Sequence, residues 1–345
     1  MINERKRRPG EGQKPHPNRR RSERCGESQD AGDRPVSVPD LPRCPGLGTA
    51  DFGLHTDRVR AFAILDTFRE AGGNFLDTAN VYCRWVPGKD NCSEQVIGAW
   101  LKDRHDREMV IATKGGHYSF SDRVTSRVTE AEVRRDLEDS LRTLGLDRID
   151  VYWLHRDNEE LATEEIAAFM NRFVQEGKIR FWGISNLTAD RVRAFGRHLH
   201  GVSNQWSLAL ESREMAETKD PTTLRCDREM LRTLQALGIP LFPYTSSAHG
   251  CFARMEQGLE VHGLWDTPAN RSIFSVLKTW AERLHVSCHV LSQAWLLNQP
   301  FQVFPVMAVS SPGQLAGLEA ICSLKLPQEA IREIGESREN AMRMA

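Results

Sequence analysis

The chain has 345 residues, with 46 basic and 47 acidic side chains and a net charge of -1. That balance gives no global field to hold nucleic acid or an acidic membrane surface, and no apolar run reaches the roughly 18 residues that a spanning helix needs. A small neutral or lightly charged ligand is the partner expected. Eight cysteines (Cys25, Cys44, Cys83, Cys92, Cys226, Cys251, Cys288 and Cys322) form no CxxC pair and no zinc-type spacing with histidine. They read as reduced thiols, with no metal site. The N-terminus lacks the apolar stretch of a secretory signal, so a cytoplasmic protein is expected.

Residues 1–42 hold almost no aliphatic side chains, many arginines and repeated Pro and Gly. Such a segment cannot bury enough apolar surface to offset its ordering entropy, so a disordered basic tail is expected there. Its KRR and NRRR clusters are read as solvated charge rather than as a nucleic-acid contact. Residues 43–345 are expected to form one domain.

From residue 43 strands and helices alternate. RCPGLGTADFG reads as a short strand and turn, with Pro45 where an uninterrupted ladder would want a donor. TDRVRAFAILDTFREAG then places Val59, Phe62, Ala63, Leu65 and Phe68 near helical spacing. GNFLDTA, MVIATKG, IDVYWLH, KIRFWGIS, GVSNQW, IPLFPYT and FQVFPVM are apolar runs of strand length, each followed by a helical pattern. Thr129 with Glu132 forms a capping-box pair, and Ser311, Pro312 and Gln314 read as another helix start. Eight strand–helix pairs imply parallel pairing through right-handed crossovers. The expected class is α/β, a TIM (β/α)8 barrel with the basic tail before it and a C-terminal helix after it. A doubly wound sheet would want a GxGxxG turn, and GLG at 46–48 lacks that spacing.

A barrel brings its strand ends onto one rim, so Asp77, Lys114, His155, Ser185, Asn186, Gln205, Tyr244 and Ser310 become candidates for a single site. With Tyr82 nearby, proton chemistry follows. A tyrosine titrating near 10 is a poor donor at neutral pH. A lysine ammonium about 4 Å away contributes roughly 4 kcal/mol at an effective dielectric of about 20, enough to lower the phenol by about two to three units. Asp77 would keep Lys114 charged, and His155 would orient a carbonyl oxygen. This set calls for no covalent step. It implies proton donation to a carbonyl that receives a hydride from elsewhere.

The residues DTANVY, TKGG, LHRDN, GISNL, PYTS and AWLLNQP occur in an order, from about Gly46 to Leu326, that resembles the aldo-keto reductase family. The resemblance implies reduction of an aldehyde or ketone, a sugar or another small carbonyl compound, with NADPH or NADH bound across the rim. It makes Tyr82 the general acid, supported by Asp77, Lys114 and His155. Ser185 and Asn186 would hold the nicotinamide carboxamide, Tyr244 would stack on its ring, and Thr49 would lie close to it.

Two departures stand out. The basic residue that the family uses on the adenosine 2'-phosphate is replaced by Ser310. A lost charge-assisted hydrogen bond of about 1.5 to 3 kcal/mol predicts relaxed or NADH-leaning cofactor use, although a helix start at Ser311 would still offer backbone donors to an anion. The family's strand-six glutamine is Ser203, and Gln205 is the expected substitute. Trp85, His117, Tyr118 and Trp206 are candidates for the substrate pocket, with packing as the alternative for each. Cys83, beside Tyr82, reads as a small buried filler. The rival function is a cofactor-sensing regulatory protein of the same fold, similar to potassium-channel beta subunits. A barrel using Lys114 as a Schiff base is less consistent with a neighbouring tyrosine and carboxylate.

Overall fold

The structure is a computed structural model that describes residues 44–120, 125–212, 220 and 222–344. The basic tail and its arginine clusters lie outside the described residues.

Strand β1 (Gly46–Gly48) leads to helix α1 (Arg58–Glu70), where the Asp57 carboxylate accepts from the Arg60 N–H at 2.9 Å. Its buried face is Ala61, Ile64, Leu65 and Phe68, the i, i+3, i+4, i+7 stripe of an amphipathic helix. Of the residues expected on this face, Val59 (83% exposed) and Ala63 face solvent and Phe62 is half-buried, so only Leu65 and Phe68 lie on the stripe. Strand β2 (Phe75–Asp77), helix α2 (Cys92–Arg104), strand β3 (Val110–Gly115) and helix α3 (Glu130–Leu144) follow. At the start of α3 the Thr129 hydroxyl accepts from the Glu132 N–H at 3.3 Å. The Glu132 carboxylate turns to Arg127 and Arg135 instead of completing the box.

Next come β4 (Ile149–Leu154), α4 (Thr163–Gln175), β5 (Ile179–Ser185), α5 (Ala189–Phe195) and β6 (Val202–Ser203). The C-terminal part holds α6 (Arg228–Leu237), α7 (Cys251–Glu256), α8 (Pro268–Leu284), α9 (Cys288–Leu297), β7 (Val306–Ala308), α10 (Leu318–Ser323) and α11 (Gln328–Met344). Thr188, Asp227, Thr267 and Ser287 each cap a following helix with a side-chain oxygen. Helix α11 packs against α8.

Among the described residues seven strands pair, all parallel, in the order β6-β5-β4-β3-β2-β1-β7. The eighth stave is the segment 240–244, which the prolines keep from forming a regular strand. Val202 donates to the Pro240 carbonyl at 3.0 Å, and Phe242 donates to the Val202 carbonyl at 2.8 Å. On the other side Leu241 donates to Gln302 at 3.0 Å and Phe304 to Leu241 at 2.8 Å. These bonds close the ring between β6 and the chain leading into β7. Pro240 and Pro243 bring no N–H, so the stave pairs only at isolated residues. Pro45 costs the ladder nothing, since β1 begins one residue later and Gly46 donates to the Pro305 carbonyl at 2.8 Å.

Inside the barrel Phe75, Ala112, Val151, Trp153, Phe242 and Val306 pack into one cluster, filling the interior as side-chain layers do in such barrels. The outer faces of the strands share the larger core with the helices.

Two expectations fail. Cys44 and Cys322 are joined in a disulfide, with Cα atoms 4.8 Å apart across 278 residues of sequence. Pairing of β1 with β7 sets Cys44, two residues before β1, beside α10, a proximity that spacing along the chain does not reveal. Residues 311–315 do not open an α-helix. They form a single 3-10 turn, Pro312–Leu315, and the Ser311 side chain makes no cap bond. Gly317, at φ 92, separates that turn from α10, a conformation that favours glycine.

Candidate active site

Parallel pairing places Asp77 at the end of β2, Lys114 in the last turn of the pleat of β3, and His155 immediately after β4. Register sets Asp77 opposite Ala112 and Lys114 opposite Trp153. Tyr82 comes from the turn after β2, closed by its N–H to the Ala79 carbonyl at 3.1 Å. The Lys114 ammonium donates to Asp77 Oδ2 at 2.5 Å and to the Thr78 carbonyl at 2.7 Å, and lies 3.4 Å from the Tyr82 hydroxyl. The Tyr82 and His155 rings meet edge to face at 6.1 Å.

Burial sets the electrostatics. Burial by itself would lower Lys114, but Asp77 and Tyr82 together hold its ammonium above the ordinary lysine value. Burial pushes the Asp77 carboxyl up against the pull of Lys114. Burial also raises the Tyr82 phenol, with Lys114 pulling it back and Asp77 acting in the same sense as burial. The expected net lowering of the phenol is therefore not found, because loss of solvent outweighs the neighbouring ammonium. His155 is held well below the ordinary imidazole value by burial, then by Arg156, His117 and Lys114. It is neutral, and its Nδ1 is buried without a hydrogen-bond partner.

The other rim candidates fall into two groups. Ser185, Asn186 and Tyr244 meet. Ser185 Oγ donates to the Ser203 carbonyl at 2.8 Å, and Asn186 Nδ2 donates to Ser185 Oγ at 2.9 Å. Asn186 Oδ1 accepts from the Tyr244 hydroxyl at 2.6 Å and from the Leu224 N–H at 2.9 Å. Asn186 adopts φ 64 to do so, a conformation that asparagine tolerates better than most residues. Gln205 stands beside Tyr244 across an isolated bridge, with its amide on Glu211, which also pairs with Arg225 at 3.1 Å.

Thr49 is turned inward. Its hydroxyl donates to the Asp77 carbonyl at 3.0 Å and meets Ser93 at 2.8 Å. Ser310 is exposed, and both its N–H and its hydroxyl are taken up by Gln314 Oε1, at 2.7 and 3.2 Å.

Among the pocket candidates, Trp85 meets the Tyr82 ring at 6.1 Å and is 44% exposed. His117 lies 4.7 Å from the His155 ring and 5.3 Å from Phe120. Burial, then Arg156, pushes it down to about 4. Trp206 takes the packing alternative: it lies against Trp295 at 5.6 Å and Phe301 at 6.5 Å, within the main core. Arg156 was missed, although it directly follows His155. Its guanidinium donates to Thr222 Oγ1 at 2.7 Å and to the His155 carbonyl at 2.8 Å, and lies over the Tyr118 ring at 5.5 Å. Tyr118 in turn donates to Asp220 at 2.6 Å. These contacts wall the rim beside His155 with aromatic and basic groups.

The profile of the aldo/keto reductase family matches residues 46–339, and the chain belongs to that family. It is an oxidoreductase whose general chemistry is carbonyl reduction. It is similar to norsolorinic acid reductase stcV of Emericella nidulans, at 29% identity over 86% of this chain and 78% of that protein. The aryl-alcohol dehydrogenase GME11368 of Pestalotiopsis microspora is 28% identical over 87% of this chain and 79% of its own length. A solved aldo/keto reductase from Klebsiella pneumoniae, in complex with NADP and acetate, superposes with a TM-score of 0.62. It is 22% identical and the match covers 84% of this chain and 89% of that one. At that identity the likeness concerns the fold.

Proposed function

We propose that the chain reduces an aldehyde or ketone with NAD(P)H, using Tyr82 as the general acid. The observation that carries this reading is the Tyr82 hydroxyl 3.4 Å from an ammonium that is itself ion-paired with Asp77 at 2.5 Å. When bound, the nicotinamide supplies the hydride. Tyr82 then gives its proton to the carbonyl oxygen, and Lys114 stabilises the phenolate left behind. A phenol kept protonated by burial is in the right state to begin. Asp77 keeps the ammonium charged. His155, neutral and with a free ring nitrogen, hydrogen-bonds and orients the carbonyl oxygen.

The residues fit a nicotinamide. Asn186 Nδ2 makes one good bond, to Ser185, and a long one of 3.4 Å to the His155 carbonyl, which leaves an amide donor for the carboxamide. Tyr244, half-buried beside it, offers the stacking face. Ser310 brings no positive charge to a 2'-phosphate, which supports relaxed or NADH-leaning use. The aromatic wall of Trp85, His117, Tyr118 and Phe120 favours a planar aromatic carbonyl over a sugar, as do relatives named for norsolorinic acid and aryl alcohols. A cytoplasmic setting is part of the proposal: the free thiols of Cys83, Cys92, Cys226, Cys251 and Cys288 support it, and the Cys44–Cys322 bridge counts against it.

The test is direct spectrophotometry of NADH and NADPH oxidation against aromatic aldehydes, aliphatic aldehydes and sugars. Turnover is expected to be fastest with aromatic aldehydes and within about tenfold for the two cofactors, the lower edge of what one lost charge-assisted bond accounts for. A thousand-fold NADPH preference would overturn the cofactor reading, and absence of turnover across the panel would overturn the activity.

A further inference from the structure

The turn that delivers Tyr82 also holds a pair of thiols. Cys83, the next residue, is fully buried and sits at φ 77, a left-handed conformation that a side-chain-bearing residue keeps only where its surroundings impose it. Its sulfur contacts the Phe52 carbonyl at 3.7 Å. Cys92 opens helix α2 and is half-buried. It packs so closely on Gly53 that a Cβ there would lie 2.6 Å from the Cys92 Cβ. Phe52 and Gly53 are adjacent, so both thiols border one corner. Burial pushes the Cys83 thiol up to about 12, and Cys92, with the backbone of Cys92 and Ser93, is next among the groups that act on it. Both cysteines are free.

We propose that Cys83 and Cys92 form a reversible oxidation site, in which a hydroperoxide converts the two thiols to a disulfide and thereby takes Tyr82 away from Lys114. Cys92, the more accessible sulfur, attacks the peroxide. An S–O bond forms as the O–O bond breaks, which gives a sulfenic acid and releases an alcohol, or water from hydrogen peroxide. The Cys83 thiol then attacks that sulfur, the S–S bond forms, and the sulfenic oxygen leaves as water. Two thiols are oxidised by two electrons, and the peroxide is reduced by the same two. A later thiol reductant restores the pair by exchange. Closing from thiol contact to a bond of about 2.05 Å draws Cys83 toward α2 by about 1 Å or more. Tyr82, its neighbour in a tight turn, already stands 3.4 Å from Lys114. A displacement of about 1 Å at a reacting group costs up to about a hundredfold in rate.

The chemical half of this proposal stands apart from the reductase reading, whereas the catalytic half rests on it. The full chain is treated with hydrogen peroxide, alkylated and digested, and its peptides are mapped, with turnover on an aromatic aldehyde read in parallel. A Cys83–Cys92 cross-link is expected, with turnover falling at least about tenfold and returning after dithiothreitol. C92S is expected to keep the starting activity, form no such link and resist peroxide. Both cysteines remaining alkylatable after peroxide would overturn the site. A cross-link with unchanged turnover, or equal peroxide loss in C92S, would overturn the effect on Tyr82. A preparation inactive before oxidation would count against the reductase reading alone, because the cross-link is mapped without turnover.

Discussion

At the scale of single residues, the site turns on what burial does to a phenol. The Tyr82 hydroxyl is raised by loss of solvent more than Lys114 lowers it, so the group starts protonated and the ammonium acts on the charge that appears afterwards. Tyr82→Phe removes the proton and keeps the ring. Its turnover number is expected to fall about a hundred- to ten-thousandfold, the range of general acid catalysis, while NADPH binding by fluorescence titration stays unchanged. Equal turnover in the variant would remove Tyr82 from the mechanism. The four residues around this proton were legible because each ends or follows an apolar run, and barrel topology fixes where such ends go. Trp206 was not, since a tryptophan after a strand packs inward or outward according to neighbours such as Trp295 and Phe301, which lie far along the chain. Arg156 carried a signal, adjacency to His155, but its partners Thr222 and Asp220 come from a distant loop.

At the scale of elements, α2 and α3 enclose a buried acid. Glu94, in the first turn of α2, is fully buried. It accepts from Thr113 Oγ1 at 2.6 Å and from Asn91 Nδ2 at 3.1 Å, and burial pushes it up to about 7. A carboxyl raised in the fold holds its proton more tightly than in the unfolded chain. Its contribution is complete below about 4.5, the unfolded value, and is lost as pH rises through about 7. A shift of this size corresponds to about 3 kcal/mol. Glu94→Gln cannot ionise, so urea midpoints of the variant are expected to change less between pH 4.5 and 8 than those of the wild type. Its amide meets the Asn91 donor and forfeits one bond, a cost of about 1 kcal/mol at every pH. The slope with pH, rather than the absolute midpoint, is therefore the measure, and parallel slopes would exclude Glu94 as the titrating group. Helix starts were readable where a capping oxygen led an apolar run, as at Thr129 in α3, and in α1 the helix was readable but its face was not, since Ala61 and Ile64 are buried where Val59 and Ala63 were expected. Starts were not readable where a motif was local only: Ser311, Pro312 and Gln314 look like a helix start, yet Gln314 folds back on Ser310 and Gly317 breaks the run.

At the scale of the whole molecule, ring closure depends on two seams of different kinds. One, between β6 and the chain before β7, passes through the proline-bearing stave 240–244 and holds by isolated backbone bonds. The other, between β1 and β7, is a regular ladder of three residues, and the Cys44–Cys322 bridge lies beside its lower end. Eight strand–helix repeats were readable from the alternation alone, whereas the bridge depends on which repeats become neighbours after closure. Because it spans 278 residues, it restrains the unfolded chain strongly, and breaking such a link costs about 2 to 5 kcal/mol. Cys322→Ser is expected to lower the urea midpoint accordingly, and wild type in reductant should fall to the same midpoint. Cys44 precedes the start of β1, at the opposite end of the barrel from Asp77, Lys114 and His155, a separation of about 15 Å at 3.3 Å per strand residue. Turnover well below the unfolding midpoint should therefore be unaffected. Identical midpoints with and without the bridge would mean that the β1–β7 ladder alone holds this seam.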